Sequence, residues 1–349
     1  MTKALLTACI FIFVSLQASA SQNSSFTVMT YNVENLFDWE HDKGKEDYTY
    51  LPKSIKNKSS EVKEYCRSIS NKNYRNECYN LSWTPTVVRT KINNIAAMIK
   101  ASAERGPDVL VLQEVENIKV IAMLLQWELA DFGYQTVELI EGPDRRGIDV
   151  AVISKFPKIK KSKLHLVKLP GNNPRPTRGI LEVRLNAFGK DLAVFANHWP
   201  SQGNSASFRM AAAETLHNAT VAANTPYQIA TGDFNTVSGE NSGLSRITLH
   251  SDNPYKYYDV KSMVKTYADN AVYGTHWYRG KWDFLDKMLL FGGAMNVDVK
   301  LVPEYQRVVS PAFALIKSGN NSYRPKRFYA KNRSGFSDHL PLMVGFKFQ

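Results

Sequence analysis

Nine short runs rich in β-branched and apolar residues are spaced along the chain, and three amphipathic segments of helical period lie among them. The strand-like runs fall at 26–32, 109–114, 134–140, 148–154, 179–186, 191–198, 228–233, 284–291 and 342–348. The helix-like segments fall at 86–103, 118–131 and 205–224. In a parallel sheet each step from strand to strand needs a crossover, usually a helix, and three helices cannot supply them for nine strands. The pattern therefore predicts an α/β fold of two mixed sheets packed face to face with helices outside, not one doubly wound parallel sheet. Hydrophobic residues make up 44% of the 349, enough for a core and too evenly spread for a collagen-like, disordered or multi-span membrane chain. With no repeat of about 20 to 50 residues and no Pro/Ser/Gly-rich linker, one domain is expected after the first twenty residues.

Those first twenty residues carry Lys3, an apolar run over 4–14 and the small-residue pattern Ala18-Ser19-Ala20 before Ser21. The run is shorter than the roughly 20 residues of a membrane-spanning helix, so the reading is a secretory signal cleaved after Ala20; a buried helix is the competing one. Cleavage removes Cys9 and leaves Cys66 and Cys78, an even pair in an exported and oxidising compartment. They are predicted to be bonded, the alternative being two free thiols. The segment 40–82 around them is rich in Lys, Asn and Ser, lacks apolar periodicity and reads as a surface insertion. It is either a solvated loop or a basic arm that helps to hold a polyanion. Formal charge is +12, or +11 once Lys3 is gone, which favours nucleic acid, anionic lipid or other phosphate esters as partners.

Polar residues cluster where apolar strands run out: Tyr31-Asn32, Gln113-Glu114, Asn197-His198, Gly232-Asp233-Phe234-Asn235, Asp286 and Ser337-Asp338-His339. Hard cations such as Mg2+ (or Mn2+ and Ca2+) want carboxylate and amide oxygens, which Glu114, Asp233, Asn235, Asp286 and Asp338 supply. Zinc fits less well, because His198 and His339 have no close-spaced His or Cys partner. Asp233 and Asn235 are two apart, so in extended backbone both face one side while Phe234 faces the other; a simple Asx turn is the plainer reading.

In that order these motifs resemble the endonuclease/exonuclease/phosphatase (DNase I-like) superfamily over nearly the whole chain after the signal. The segments 31–38 and 146–151 look most like its exported bacterial nuclease-like branch. The resemblance implies a four-layered α/β-β/α sandwich, two mixed sheets flanked by helices, and divalent-metal-dependent hydrolysis of a phosphate ester. It implies Glu114 as principal metal ligand, with Asp338 near the metal and Asn32 supporting metal and phosphate. Asp233 and Asn235 position the attacking water and the phosphate. His339, paired with Asp286, lies near the scissile phosphate. His198 matches a second histidine, with Glu141 as its carboxylate partner, and Arg178 matches a phosphate-contacting arginine, against a solvated strand-edge arginine as the plainer reading. Neither Arg146 nor Asp149 is given a role.

A nucleic acid is the expected substrate, because cations and aromatic rings alternate over 274–282 as they do where backbone phosphates and bases are held; a packing loop is the alternative. A lipid or small-molecule phosphodiesterase, sphingomyelinase-like, is the second reading, for which 255–258 is the one candidate aromatic stretch. The expected product is a secreted or periplasmic monomer with no membrane anchor after signal removal.

Overall fold

The computed structural model describes residues 24–240, 243–248, 256–268, 270–292, 301–319 and 322–348; the signal segment lies outside them. Strand β1 (Ser25–Leu36) leads to helices α1 (Lys53–Lys58), α2 (Ser60–Ser68), α3 (Lys72–Asn80) and α4 (Pro85–Ser102). Then follow β2 (Val109–Val115), α5 (Ile118–Glu128), β3 (Thr136–Leu139), β4 (Asp149–Ser154), β5 (Lys163–His165), β6 (Ile180–Ala187), β7 (Lys190–His198), α6 (Ala206–Ala223) and β8 (Tyr227–Asp233). The last part holds β9 (Lys256–Asp259), β10 (Thr266–Ala268), β11 (His276–Tyr278), β12 (Lys281–Asp283), β13 (Asp286–Gly292), β14 (Leu301–Val308), β15 (Leu315–Lys317), β16 (Tyr323–Pro325) and β17 (Leu342–Phe348).

Two mixed sheets form, one of seven strands ordered β10-β14-β17-β1-β2-β4-β3 and one of six ordered β5-β6-β7-β8-β13-β9. Their facing sides make the main core, and side-chain alternation decides which residues enter it. On β7, Leu192, Val194 and Ala196 point between the sheets. Ala193 and Phe195 point outward, where they meet Ala212, Leu216 and Ala219 of α6. Helices α4 and α5 cover the outer side of the other sheet, contributing Ile92, Ile95, Ile121 and Leu124. Local signals start these helices: the Thr84 side chain accepts from Val87 N before Pro85, and Asn117 accepts from Lys119 N and Val120 N. The two-sheet α/β prediction is thus met. Strand β14 escapes the periodicity reading because Pro303 and Glu304 break its apolar run, at a bulge in its pairing with β17.

Two expectations are corrected. The segment 40–82 is not irregular: α1, α2 and α3 pack around Leu51, Val62, Cys66 and Cys78. Ser59 and Asn71 cap α2 and α3, but helices of nine residues with so few apolar positions leave little periodicity to read. Lys56 lies buried beneath them, its Nζ donating to the carbonyls of Thr49, Cys78 and Leu81 at 2.5, 2.9 and 2.8 Å. The predicted Cys66–Cys78 bond is present, with Cα atoms 5.5 Å apart. Second, the described residues of the candidate stretch for the lipid reading form strand β9 and not a projecting hairpin. Tyr255 lies outside the described residues, whereas Tyr257 is fully buried on β9 and donates to Leu216 O at 3.2 Å. Among the described residues no helix is long and apolar enough to cross a membrane.

The disulfide closes a short loop within the insertion and reaches neither sheet. A Cys66→Ser/Cys78→Ser variant is expected to lose up to about 3 kcal/mol of stability, measured by denaturant unfolding, with faster amide exchange confined to residues 53–80. Equal loss of protection across β7 and β8 would contradict this confinement.

Candidate active site

Register brings the polar strand ends together. In the parallel pair β7–β8, Asn197 lies opposite Gly232 and His198 opposite Asp233. In the antiparallel pair β8–β13, Asp233 lies opposite Asp286. One end of the six-stranded sheet therefore carries His198, Asp233 and Asp286 side by side. Opposite them the seven-stranded sheet presents Asn32 and Glu114, where the β1–β2 and β2–β4 pairings both slip. Glu34, Asn35 and Glu114 take positive φ of 54°, 60° and 61° there, a local distortion that re-aims Glu114 out of the strand alternation. Gly232 has φ +138°, and a Cβ on it would fall 2.0 Å from Asn197 O, so the close approach of β7 and β8 at this point requires glycine.

Asn32 links the two sheets: its Nδ2 donates to Glu114 Oε1 at 3.3 Å and to Asp233 Oδ2 at 3.1 Å. Asn35 N donates to Glu114 Oε2 at 3.0 Å, and Asn235 N donates to Asp233 Oδ1 at 2.8 Å, the Asx turn read as the plainer option. His198 Nε2 stands 3.8 Å from both Glu114 Oε1 and Asp233 Oδ2. His339 Nε2 stands 3.8 Å from Asp233 Oδ2, and its Nδ1 meets Asp286 Oδ2 at 2.7 Å. Ser337 Oγ donates to Asn32 O at 2.6 Å and accepts from His339 N at 3.1 Å, tying the final motif to the first.

The two histidines sit in opposite electrostatic settings. Burial, then the charges of Arg178 and Arg146, push the His198 imidazole well below its ordinary value. Burial acts the same way on His339, but the charge and hydrogen bond of Asp286 outweigh it and hold that ring well above its ordinary value. Burial raises Asp233 to about 6, against the charge of His339. The centre thus pairs a neutral and a cationic imidazole around a carboxylate that titrates close to neutrality.

A cleft of about 1060 Å³ opens over these groups. Arg178 is buried on its wall, Nη2 donating to Trp199 O at 2.8 Å and Nη1 to Asp144 Oδ2 at 3.3 Å, so the solvated-arginine reading fails. Arg146, given no role from sequence, lines the same cleft with its Nε 3.5 Å from Asp144 Oδ1. His276 is the other residue missed as an individual: its ring lies 4.6 Å from that of His339, and burial, then the His339 charge, push it down to about 4. Position in the 274–282 strip was its only signal. The strip is not a buried packing loop; it forms the β11–β12 hairpin, turning at Arg279 and Gly280 with positive φ, and exposes Tyr278 beside the cleft. Tyr74 of α3 stands at the rim. Asp338 lines the cleft too, with its nearest cation Arg327 Nη2 at 4.0 Å. The suggested Glu141–His198 pair is absent: Glu141 is exposed, and His198 Nδ1 is buried without a hydrogen-bond partner. Asp149 accepts from Gly142 N at 2.9 Å beneath the Asp144 loop and takes a supporting position.

A two-sheet sandwich with this carboxylate, amide and histidine set at the sheet ends defines the class of two-layered-sheet phosphoesterases. The chain belongs to the Endonuclease/Exonuclease/phosphatase family, whose model matches residues 67–347; its members are divalent-metal-dependent phosphoester hydrolases. No curated protein matches the sequence. Among solved structures, the family protein from Bacteroides thetaiotaomicron superposes with TM-score 0.54 at 14% identity, covering 93% of this chain and 98% of that one. The one from Leptotrichia buccalis gives 0.51 at 17%, covering 93% and 99%. D. rerio TDP2 complexed with single strand DNA product gives 0.51 at 13%, again covering 93% and 99%. At these identities the likeness is one of fold.

Two outcomes follow from the geometry. Asp286→Asn is expected to lower the His339 pKa, read by imidazole NMR without divalent ions. Because the folded value is raised, the pair stabilises the fold below about 6.5 and that contribution is lost as pH rises through the raised value. An unmoved His339 titration would contradict the pairing. Gly232→Ala is expected to cost at least about 3 kcal/mol in chemical denaturation, since the β7 backbone would have to move; a cost under about 1 kcal/mol would show that the two strands can separate there.

Proposed function

We propose that the protein is an exported, divalent-metal-dependent nuclease that hydrolyses phosphodiester bonds of DNA or RNA as a DNase I-like endonuclease. The carrying observation is the convergence of Glu114, Asp233 and the His339–Asp286 pair below a cleft whose walls hold Arg146, Arg178 and the aromatic, cationic hairpin of β11 and β12. The disulfide supports export into an oxidising compartment.

The centre fits a hard cation. Its acids are carboxylates without sulfur ligands, and Glu114 opens to the cleft with its side chain 18% accessible, against 3% for Asp233. Glu114 would hold the ion, with Asp338 as the second carboxylate on the wall. When bound, Mg2+ or a similar ion supplies Lewis-acid stabilisation of the charge that builds on phosphate oxygens. The protein groups do the rest. Asp233, oriented by Asn32 and the Asn235 amide, aligns a water and takes its proton as the water oxygen attacks phosphorus and the bond to the leaving oxygen breaks. The His339 imidazolium, fixed by Asp286, donates to a non-bridging oxygen. Asn235 donates one N–H to Trp199 O at 3.0 Å and keeps the other for the phosphate. His198, held neutral, adds a hydrogen-bonding ring beside Glu114. Arg178 and Arg146 hold flanking phosphates. A lipid-directed reading has no comparable support, since Tyr257 at the centre of its candidate aromatic stretch is buried.

Purified mature protein is expected to nick plasmid DNA or cleave RNA with Mg2+ and to stop on adding chelator, leaving sphingomyelin intact. Asp233→Ala, His198→Ala and His339→Ala should each lower turnover at least about a hundredfold with unchanged circular dichroism. A rate within twofold of wild type removes the role of that residue. Cleavage of sphingomyelin or a chromogenic diester alone refutes the nuclease reading.

A further inference from the structure

A second group of acids lies just past the end of β2, at the root of the insertion and outside the lining of the cleft. Asp42, Asp47 and Glu116 each offer an oxygen within 4.8 Å of the others. Asp47 and Glu116 are almost fully buried, as is Asp38 beside them. The Glu116 carboxylate is half used: Oε2 accepts from Asp38 N at 2.7 Å and Asn117 Nδ2 at 3.3 Å. Its Oε1 is buried with no hydrogen-bond partner. A buried carboxylate oxygen without a partner is costly, and a cation among its acidic neighbours would satisfy it. The facing charges are few. Lys119 Nζ, 3.2 Å from Asp38 Oδ2, is shared with Glu40, and His41 Nδ1 contacts Asp47, so acids outnumber the cations beside them; burial pushes the Glu116 carboxyl up to about 9, so a bound cation would take the place of its proton. The Asp42 carboxylate accepts from the Asn117 amide at 3.1 Å, and Asp42 N donates to Asp47 Oδ2 at 2.7 Å. Glu114 takes no part, being held by Asn32 and Asn35.

We propose that Asp42, Asp47 and Glu116 form a structural divalent-cation site, of the oxygen-rich kind that Ca2+ prefers, separate from the catalytic centre. A cluster of carboxylate oxygens with backbone carbonyls nearby and no sulfur or imidazole-only set suits Ca2+, which takes about six to eight oxygens in variable geometry, better than the strict octahedron of Mg2+. The position gives the ion a task. Between Asp42 and Asp47, Lys45 Nζ donates to Gly142 O at 2.9 Å and Asp144 O at 3.3 Å, and Glu46 N donates to Arg145 O at 2.6 Å. The same loop holds Asp144, the anchor of Arg178 and Arg146. A cation here would fix the insertion root, and through it the arginine wall, to the end of β2.

The site goes beyond the nuclease reading and is tested without turnover. Metal-free Glu114→Gln protein, whose catalytic ligand is removed, is titrated with CaCl2 alone by calorimetry and thermal unfolding. One bound ion is expected, with Tm raised by about 4 °C at saturation. Adding Asp42→Asn, at a half-exposed position, should abolish both signals, with folding checked by circular dichroism, and Glu116→Gln should do the same. No Ca2+ binding in the Glu114→Gln protein, or binding and a Tm rise that survive Asp42→Asn, would overturn the proposal. Loss of nuclease activity in Glu114→Gln alone bears on the catalytic centre and not on this site.

Discussion

Two carboxylates from opposing sheets share the two hydrogens of one buried amide. Asn32 donates to Glu114 on one side and Asp233 on the other, and that contact fixes the spacing between the group that would hold a metal and the group that would activate water. An amide can do this where a lysine or arginine could not, because it screens two anions without adding a charge that would compete with a cation. The remaining geometry is arranged around it. Ser337 bonds the Asn32 carbonyl, so the loop that delivers His339 is referenced to the same residue. Strand register then carries the position of Asp233 sideways to His198 and Asp286.

Burial is what separates the behaviour of the groups assembled there. Desolvation acts in one direction on every imidazole and in the other on every carboxylate. The neighbour decides whether that push is opposed or reinforced. Asp286, fully buried at the start of β13, overrides burial and keeps one ring charged, while burial, reinforced by two arginines, keeps the other neutral. Asp144 in turn is held below its ordinary value by Arg146 and Arg178 despite its burial, so the arginine wall carries its own counter-charge.

Most of the centre was legible in sequence because its residues sit at strand ends: Asn32, Glu114, His198 and Asp233 where an apolar strand stops, Asp286 and His339 where one is about to begin. Their roles came from the family resemblance, and the count of strands against helices predicted two sheets. What stayed hidden lacked such a marker. Arg146 lies in a loop before β4, and its approach to the cleft depends on Asp144 and Arg178, far apart in the chain. The Glu141 pairing failed because a loop has no register to read. The insertion helices are too short to show a period, and the acids at positions 42, 47 and 116 meet only because the chain returns to the end of β2.

The carbonyl of Trp199 accepts from both Arg178 and Asn235, one a wall residue and the other a neighbour of the attacking water. The turn that follows β7 is therefore a shared bearing for substrate grip and for chemistry. Evolution on this flank cannot retune one without disturbing the other. Across the opening, Tyr74 rides on a separately stapled helical unit, so that rim can change without moving the turn after β7.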